Sequence, residues 1–169
     1  LRGTKVRGEV EIAADIRAIE ADEGQISQVL NNVLINAVQA MPEGGILRIA
    51  ATNTTLDATN TLALPGGEYV RMTIVDQGCG IPQETLERIF DPYFSTKESG
   101  TGLGLASVYS IVTRHGGHVG ADSTPGKGTT FTILLPATDR APASATTEPV
   151  RPRAADGGRA SILVMDDEA

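Results

Sequence analysis

The stretch Gln28-Val-Leu-Asn-Asn-Val-Leu-Ile-Asn-Ala-Val-Gln-Ala-Met41 constrains the fold more than any other part of the chain. Its apolar residues recur three and four positions apart, which predicts a long helix with one buried stripe. Asn32 and Asn36 lie one turn apart, so both amides project from one face. An amide oxygen is a hard, neutral ligand that suits Mg²⁺. Taken alone, a merely solvated helix face explains the pattern better.

The residues around this helix predict a chain that alternates between strands and helices. Asp22 fits an N-cap with Gln25 at the capping-box position, and Pro42 with the glycines after it ends the helix. The predicted strands cover residues 8–20 (one strand and a second short one), 46–53, 69–76, 118–123 and 129–135, and two more helices cover 82–90 and 103–114. Residues 54–67 are rich in Thr, Asn, Pro and Gly, which predicts a loop.

Two glycine-rich stretches carry polar groups that could bind a nucleotide. Asp76-Gln-Gly-Cys-Gly-Ile-Pro82 follows a strand, where the carboxylate could accept a hydrogen bond from an exocyclic amine; a tight turn containing Asp is the plainer interpretation. Gly100-Thr-Gly-Leu-Gly104 precedes a helix, where exposed N–H groups and the helix dipole suit a polyphosphate. This second stretch is neither a Walker A motif nor a dinucleotide fingerprint, so it is weak evidence by itself.

The segment Ile89-Phe-Asp-Pro-Tyr-Phe-Ser-Thr-Lys97 joins these two stretches. Phe90 and Phe94 could anchor a polar segment, and Lys97 could reach a terminal phosphate. A surface loop with two residues packed into the core is the alternative. Because residues 91–101 lack apolar periodicity, they are expected to be mobile and poorly ordered without nucleotide.

Composition excludes several classes of protein. The 169 residues carry a net charge of −7, which argues against a nucleic-acid-binding surface. Cys79 is the only cysteine, so neither a disulfide framework nor a thiolate metal site is available. No apolar run approaches the length of a membrane span and no signal peptide opens the sequence, so membrane contact by this chain is not expected.

The four features occur in a defined order: Asn-x-x-x-Asn on a helix, Asp-x-Gly-x-Gly, Phe-x-x-x-Phe and Gly-x-Gly-x-Gly. In that order they resemble the N, G1, F and G2 boxes of the catalytic domain of sensor histidine kinases, in the wider family shared with gyrase, Hsp90 and MutL. The resemblance assigns residues 1–136 to this domain. It implies an α/β fold, a two-layer α/β sandwich (the Bergerat ATP-binding fold) with a mixed, mostly antiparallel sheet and helices on one face.

The resemblance also implies ATP and Mg²⁺ as ligands and a role for each matching residue. Asn36 would ligate Mg²⁺ with support from Asn32, and Asp76 would bind the amino group of adenine, with Thr129 beside it. Asn32 and Lys97 would act in catalysis, Lys97 on a phosphate. The residues implied to hold ATP are Asn36, Asp76, Gly78, Gly80, Gly100, Thr101, Gly102, Leu103, Gly104 and Thr129.

Position 32 separates two possible activities. Gyrase-type and Hsp90-type relatives carry a glutamate there that activates water, whereas the amide of Asn32 cannot act as a general base. The γ-phosphate should therefore survive for transfer to another nucleophile. This favours the ATP-binding catalytic domain of a two-component protein-histidine kinase. The alternative is a non-catalytic nucleotide-binding switch module of the same fold.

The histidine that such a kinase phosphorylates is missing from this sequence. His115 lies at a predicted helix end and His118 at a strand start, and neither has the surroundings of a phospho-acceptor. Structural roles are predicted for both. The expected partner is an upstream dimerisation and phospho-acceptor domain.

The composition changes after Pro136. Residues 137–160 are predicted to be a flexible linker of Ala, Pro, Thr, Gly and Arg. Residues 161–169 resemble the first strand and acidic pair of a receiver domain, cut short, which implies a hybrid kinase that communicates with a response-regulator receiver. A cytoplasmic location is expected, whether or not the parent protein is anchored in a membrane.

Overall fold

The computed structural model describes residues 5–97 and 100–139. In these ranges the chain forms six strands and three helices. In order they are β1 (Val6–Ile12), β2 (Ala18–Ile19), α1 (Glu23–Ala40), β3 (Gly45–Leu56), β4 (Gly67–Val75), α2 (Gln83–Leu86), α3 (Gly104–Arg114), β5 (His118–Thr124) and β6 (Gly128–Thr138). The helix around Asn32 and Asn36 thus forms where its periodicity predicts it.

The strands form one mixed sheet that is mostly antiparallel. Its order is β1-β3-β4-β6-β2, and β5 also pairs with β6. Only the pairing of β1 with β3 is parallel among the described strands; β3–β4, β4–β6, β5–β6 and β2–β6 are antiparallel. The sheet confirms the predicted class.

One face of the sheet carries the core. The register aligns Ile49, Ile74, Phe131 and Ala121 across four strands, so their side chains lie on the same face. The apolar stripes of α1 and α3 pack on that face. The fully buried side chains that join the two layers are Val29, Val33, Leu47, Ile74, Val108, Val112, Ile133 and Leu135. The predicted two-layer sandwich is therefore confirmed.

Several strands extend beyond their predicted limits. β3 continues to Leu56 and β4 begins at Gly67, because cross-strand pairing extends into the region predicted as loop. β6 continues to Thr138, two residues past the predicted domain boundary, since Ala137 and Thr138 pair with β2. Residues 140–160 of the predicted linker and the predicted start of a receiver domain lie outside the described residues.

The alternation of apolar residues in β1 correctly identifies the face of the strand that points towards the helices. The helices cover only part of that face. Val10 and Ile12 lie on the helix-side face of this strand and are 66% and 61% exposed. Val6, at the other end of the same strand, is buried. The helical layer therefore covers only the beginning of β1.

The start of α1 is capped by two partners from different parts of the chain. Asp22 Oδ1 accepts a hydrogen bond from the Gln25 N–H at 2.8 Å, as the sequence predicts. The Asp22 N–H, however, donates to His115 Nε2 at 3.2 Å, so the Gln25 side chain does not complete a capping box. His115 Nδ1 lies 2.8 Å from the Ile111 carbonyl oxygen. With Nε2 accepting from Asp22 and Nδ1 beside the Ile111 carbonyl oxygen, His115 links the end of α3 to the start of α1.

The turn between β5 and β6 provides a matched test of backbone packing. Gly126 and Gly128 both have positive φ angles, 77° and 103°. A Cβ added at Gly126 would meet nothing within 4 Å, whereas one at Gly128 would overlap the carbonyl oxygen of Asp76. We expect Gly126→Ala to lower the free energy of unfolding by about 1 kcal/mol. Gly128→Ala should lower it by about 3 kcal/mol or more, because overlap adds to the same backbone penalty. Urea unfolding of the two variants measures the difference; equal losses would contradict the close approach.

None of the helices formed by residues 5–97 and 100–139 is long and apolar enough to cross a bilayer.

Candidate functional site

A cavity of about 450 Å³ opens between α1, the start of α3, the turn after β4 and the segment before α3. It brings together residues that are up to 99 positions apart in the sequence, from Asn32 to Phe131. Of the predicted site residues, those lining it are Asn32, Asn36, Asp76, Gly80, Lys97, Gly100, Thr101, Gly102, Gly104 and Thr129. Gly78 and Leu103 are not part of its lining.

Asp76 lies at the bottom of the cavity, directly after β4. The residue is 3% exposed, and its Oδ1 accepts hydrogen bonds from the Gly78 N–H at 2.8 Å and the Thr129 N–H at 3.2 Å. Desolvation raises the pKa of the carboxyl group, while these two N–H groups act in the opposite direction. No hydrogen bond from a described residue reaches Oδ2. The second oxygen is therefore free to accept from a ligand.

The glycines after Asp76 serve the packing of the turn itself. A side chain at Gly78 would collide with Ala40 at the end of α1, and one at Gly80 would collide with the Thr124 backbone. Both glycines thus permit a close approach to other parts of the same chain. The two glycines shape the cavity wall by letting α1 and the β5–β6 hairpin approach Asp76.

The two asparagines of α1 have different surroundings. Asn32 Nδ2 donates to the Gly104 carbonyl oxygen at 3.1 Å and so ties α1 to the first residue of α3. Asn36 Nδ2 donates to the Asn32 carbonyl oxygen at 2.9 Å. This bond fixes the Asn36 amide with Oδ1 directed at Lys97. Asn32 thus positions a helix, whereas Asn36 presents an acceptor.

Lys97 holds its ammonium group against the polar stripe of α1. Nζ donates to Asn36 Oδ1 at 2.9 Å and also to Gln39 Oε1. Partial desolvation lowers the pKa of Lys97, and a Coulombic interaction with Cys79 acts in the opposite direction. Two neutral amide oxygens therefore already surround a positive charge at this point of the cavity.

The same two oxygens fit a magnesium ion. Mg²⁺ prefers hard oxygen ligands and usually keeps few from the protein, with water and phosphate completing its coordination. Among residues 5–97 and 100–139, no cluster of three or more His, Cys, Asp or Glu side chains offers another kind of metal site. The donor set suits a metal that arrives with a phosphorylated ligand.

Aromatic contacts hold the segment between the turn and α3. The Phe90 ring packs against Tyr109 of α3, with centroids 6.1 Å apart, and the Arg88 guanidinium lies 4.4 Å from the centre of the Phe94 ring. The Tyr93 N–H donates to the Gly102 carbonyl oxygen at 3.0 Å. Gly102 has a φ of 67°, and a side chain there would collide with the Tyr93 backbone. This glycine is required by that close approach.

Two residues at the site had no role assigned from sequence. Gln39 shares the Lys97 ammonium with Asn36; its position three residues further along the same helix face was the available signal. Ser123 contacts three partners behind Thr129, and nothing in its sequence context indicated this.

Comparison with known proteins identifies the family to which this fold belongs. Residues 21–139 match the family of histidine kinase-, DNA gyrase B- and HSP90-like ATPases, and the chain belongs to that family. The sandwich is accordingly the Bergerat-type α/β fold of ATP-binding domains.

The relatives narrow the class to sensor histidine kinases. The chain is 39% identical over 179 residues to the sensor kinase CckA of Brucella abortus, an alignment that covers 99% of this chain and 19% of that protein. It is 42% identical over 118 residues to the sensor histidine kinase ZraS of Escherichia coli K12, covering 70% and 23%. The chain therefore spans about a fifth of the length of these curated relatives.

Solved structures agree with this class. The catalytic domain of histidine kinase ThkA superimposes with a TM-score of 0.63 at 30% identity, covering 79% of this chain and 80% of that one. Full-length ShkA in complex with AMPPNP gives a TM-score of 0.64 at 31% identity, covering 81% and 27%.

Proposed function

We propose that this chain is the ATP-binding catalytic domain of a two-component sensor histidine kinase. It would transfer the γ-phosphate of ATP to a histidine on an upstream dimerisation domain. The observation that carries the proposal is the pairing of two polar ends in one cavity: a buried carboxylate with a free oxygen, and a cation held by amide oxygens. These ends match an amino-bearing base and a metal-bound polyphosphate.

Each end of the cavity has its own task. Asp76 Oδ2 would accept a hydrogen bond from the amino group of adenine, because Oδ1 is already held by two N–H groups. Asn36 and Gln39 would face the metal, and Lys97 would move from them to a phosphate. Mg²⁺, when bound, would neutralise charge on the phosphates during transfer. The glycines at 100, 102 and 104 line the cavity and would face the phosphates.

Preservation of the γ-phosphate follows from Asn32. Its side-chain nitrogen donates to the Gly104 carbonyl, and an amide cannot take a proton from water at neutral pH. Attack by water would therefore be slow. Phosphoryl transfer to a histidine depends mainly on positioning and charge neutralisation, which this arrangement supplies.

The parent protein is proposed to be a hybrid kinase that acts in the cytoplasm. The sequence of residues 161–169 resembles the first strand and acidic pair of a receiver domain, and the alignment with CckA extends across this tail. The partners would be the phospho-acceptor domain and a receiver domain.

A phosphotransfer assay tests the kinase proposal directly. The chain is mixed with labelled ATP, Mg²⁺ and a dimerisation domain from the same parent protein, and acid-labile phosphohistidine is measured. We expect label on the dimerisation domain and none on the chain itself. ATP binding without any phosphohistidine would instead support the alternative, a non-catalytic nucleotide-binding switch.

Cys79 provides a simple measure of nucleotide binding. It is exposed, lines the cavity and is the only cysteine in the sequence. We expect saturating Mg-ATP to slow its alkylation by iodoacetamide by about 10-fold, in proportion to occupancy. Mass spectrometry of the intact chain measures the rate. The same rate with and without Mg-ATP would place the nucleotide elsewhere.

A further inference from the structure

Ser123 lies behind the buried end of the cavity and connects three parts of the chain. Its Oγ accepts from the Ile81 N–H at 2.8 Å, donates to the Gly128 carbonyl oxygen at 2.9 Å and lies 2.9 Å from Thr129 Oγ1. Ser123 and Thr129 are direct cross-strand partners of β5 and β6. The serine thus contacts the turn after Asp76 and the strand that carries Thr129.

The hydrogen count at Ser123 fixes the direction of its third bond. A hydroxyl group has one hydrogen to donate. The Gly128 carbonyl can only accept, so it takes the serine hydrogen, and the Ile81 N–H can only donate. The bond between the two hydroxyl groups must therefore be donated by Thr129. Once its hydrogen is used, Thr129 Oγ1 has only lone pairs left to offer.

Thr129 then acts as an acceptor beside another acceptor. Thr129 is 4% exposed and lines the cavity next to Asp76. The backbone N–H of Thr129 donates to Asp76 Oδ1. Asp76 Oδ2 receives no hydrogen bond from a described residue, and as a carboxylate oxygen it can only accept. Two adjacent acceptors suit a base that carries an amino group there and repel a base that carries a carbonyl oxygen.

We propose that Ser123 is a positioning residue for base selection, which holds the Thr129 hydroxyl as an acceptor and so favours a 6-amino over a 6-oxo purine. This inference rests on the proposed ATP-binding function. It assigns the preference to a residue that need not touch the nucleotide. Without Ser123, the Thr129 hydroxyl could rotate and donate its hydrogen to a carbonyl oxygen on the base.

The test compares ATP with ITP, which differ at the 6-position of the purine, by calorimetric titration of the 169-residue chain with Mg²⁺. The native chain should prefer ATP. Ser123→Ala should lower the ATP-to-ITP affinity ratio by about 3- to 10-fold, the range expected for one neutral hydrogen bond, mainly because ITP binds more tightly. Ser123→Thr, which keeps the hydroxyl, should retain the native ratio. Thr124→Ala is the matched control, because its exposed side chain lies on the same hairpin outside the cavity lining.

A double-mutant cycle shows whether Ser123 acts through Thr129. The ratio for Ser123→Ala combined with Thr129→Val should equal that for Thr129→Val alone. If Ser123→Ala does not fold, Thr129→Ser and Thr129→Val remain informative: the first should keep the ratio and the second should lose it. An unchanged ratio in Ser123→Ala, equal weakening of both nucleotides, or a native ratio in Thr129→Val would overturn the inference. Failure of the native chain to bind ATP at all would instead sink the proposed function.

Discussion

Replacing Asp76 by asparagine should weaken ATP binding by about 100-fold or more and leave the fold at least as stable. An asparagine Oδ1 can still accept from the Gly78 and Thr129 N–H groups, so the turn after β4 keeps its bonds. The side-chain NH₂ then takes the place of Oδ2 and faces the amino group of adenine, donor against donor. Loss of a hydrogen bond to a charged acceptor costs about 1.5–3 kcal/mol, and the repulsion adds to it.

The stability of the same variant follows from the raised pKa of Asp76. Because desolvation raises that pKa above its unfolded-state value, the ionised carboxylate is a cost to the folded state at neutral pH. The cost disappears as pH falls through the folded-state pKa towards the unfolded one. Asp76→Asn should therefore melt at the native temperature or a few degrees above it at pH 7, with the gain shrinking towards pH 4.

Titration calorimetry and thermal melting measure the two effects together. Asp122→Asn is the matched control, because Asp122 is an exposed carboxylate on β5 and should change neither quantity. Native-like ATP affinity in Asp76→Asn would remove this carboxylate from the proposed base-binding site. A large loss of stability at pH 7 would show that its charge supports the turn.

Replacing Asn36 by alanine should remove the effect of Mg²⁺ on nucleotide affinity. Asn36 Oδ1 is held towards the cation position by its own Nδ2 bond to the Asn32 carbonyl. With Mg²⁺ present we expect a loss of ATP affinity of about 30-fold, within the range for a charge-assisted contact. In EDTA, the variant and the native chain should bind ATP alike.

The Asn32→Ala variant distinguishes loss of the proposed contact between Asn36 and Mg²⁺ from a general loss of ATP affinity caused by disturbing α1. Its side chain holds the Gly104 carbonyl and so positions the start of α3. It should weaken ATP binding by a similar factor with and without Mg²⁺. Gln28→Ala, an exposed position one turn earlier, is the neutral control. A Mg²⁺ effect that survives in Asn36→Ala would exclude Asn36 as the metal-facing residue.

Much of the fold could be predicted because the spacing of apolar residues within one segment depends on whether that segment forms a helix or a strand. The 3.6-residue period identified α1 and α3, and alternation identified most strands. Strand ends were predicted less well, since the Thr-rich residues at 54–56 resemble a loop until pairing with β4 fixes them. The exposure of Val10 and Ile12 was also not visible from alternation, which shows a face of the strand but not whether a helix covers it.

The candidate site was predicted where spacing within one element carries the information. Asn32 and Asn36 share a helix face, and Asp76 follows a strand, so the pattern locates them. The contact between Lys97 and Gln39 joins residues 58 positions apart, and that between Ser123 and Ile81 joins residues 42 apart. Such contacts depend on how loops close against the core, which no short pattern encodes.

The helices α1 and α3 are joined at two separate points. His115 at the end of α3 receives the Asp22 N–H before α1, and Asn32 in the middle of α1 reaches the Gly104 carbonyl at the start of α3. These two hydrogen bonds lie at the two ends of α3 and resist sliding of α3 along α1. Because Gly104 at the start of α3 lines the cavity, a change that loosens either hydrogen bond should also move that part of the cavity wall.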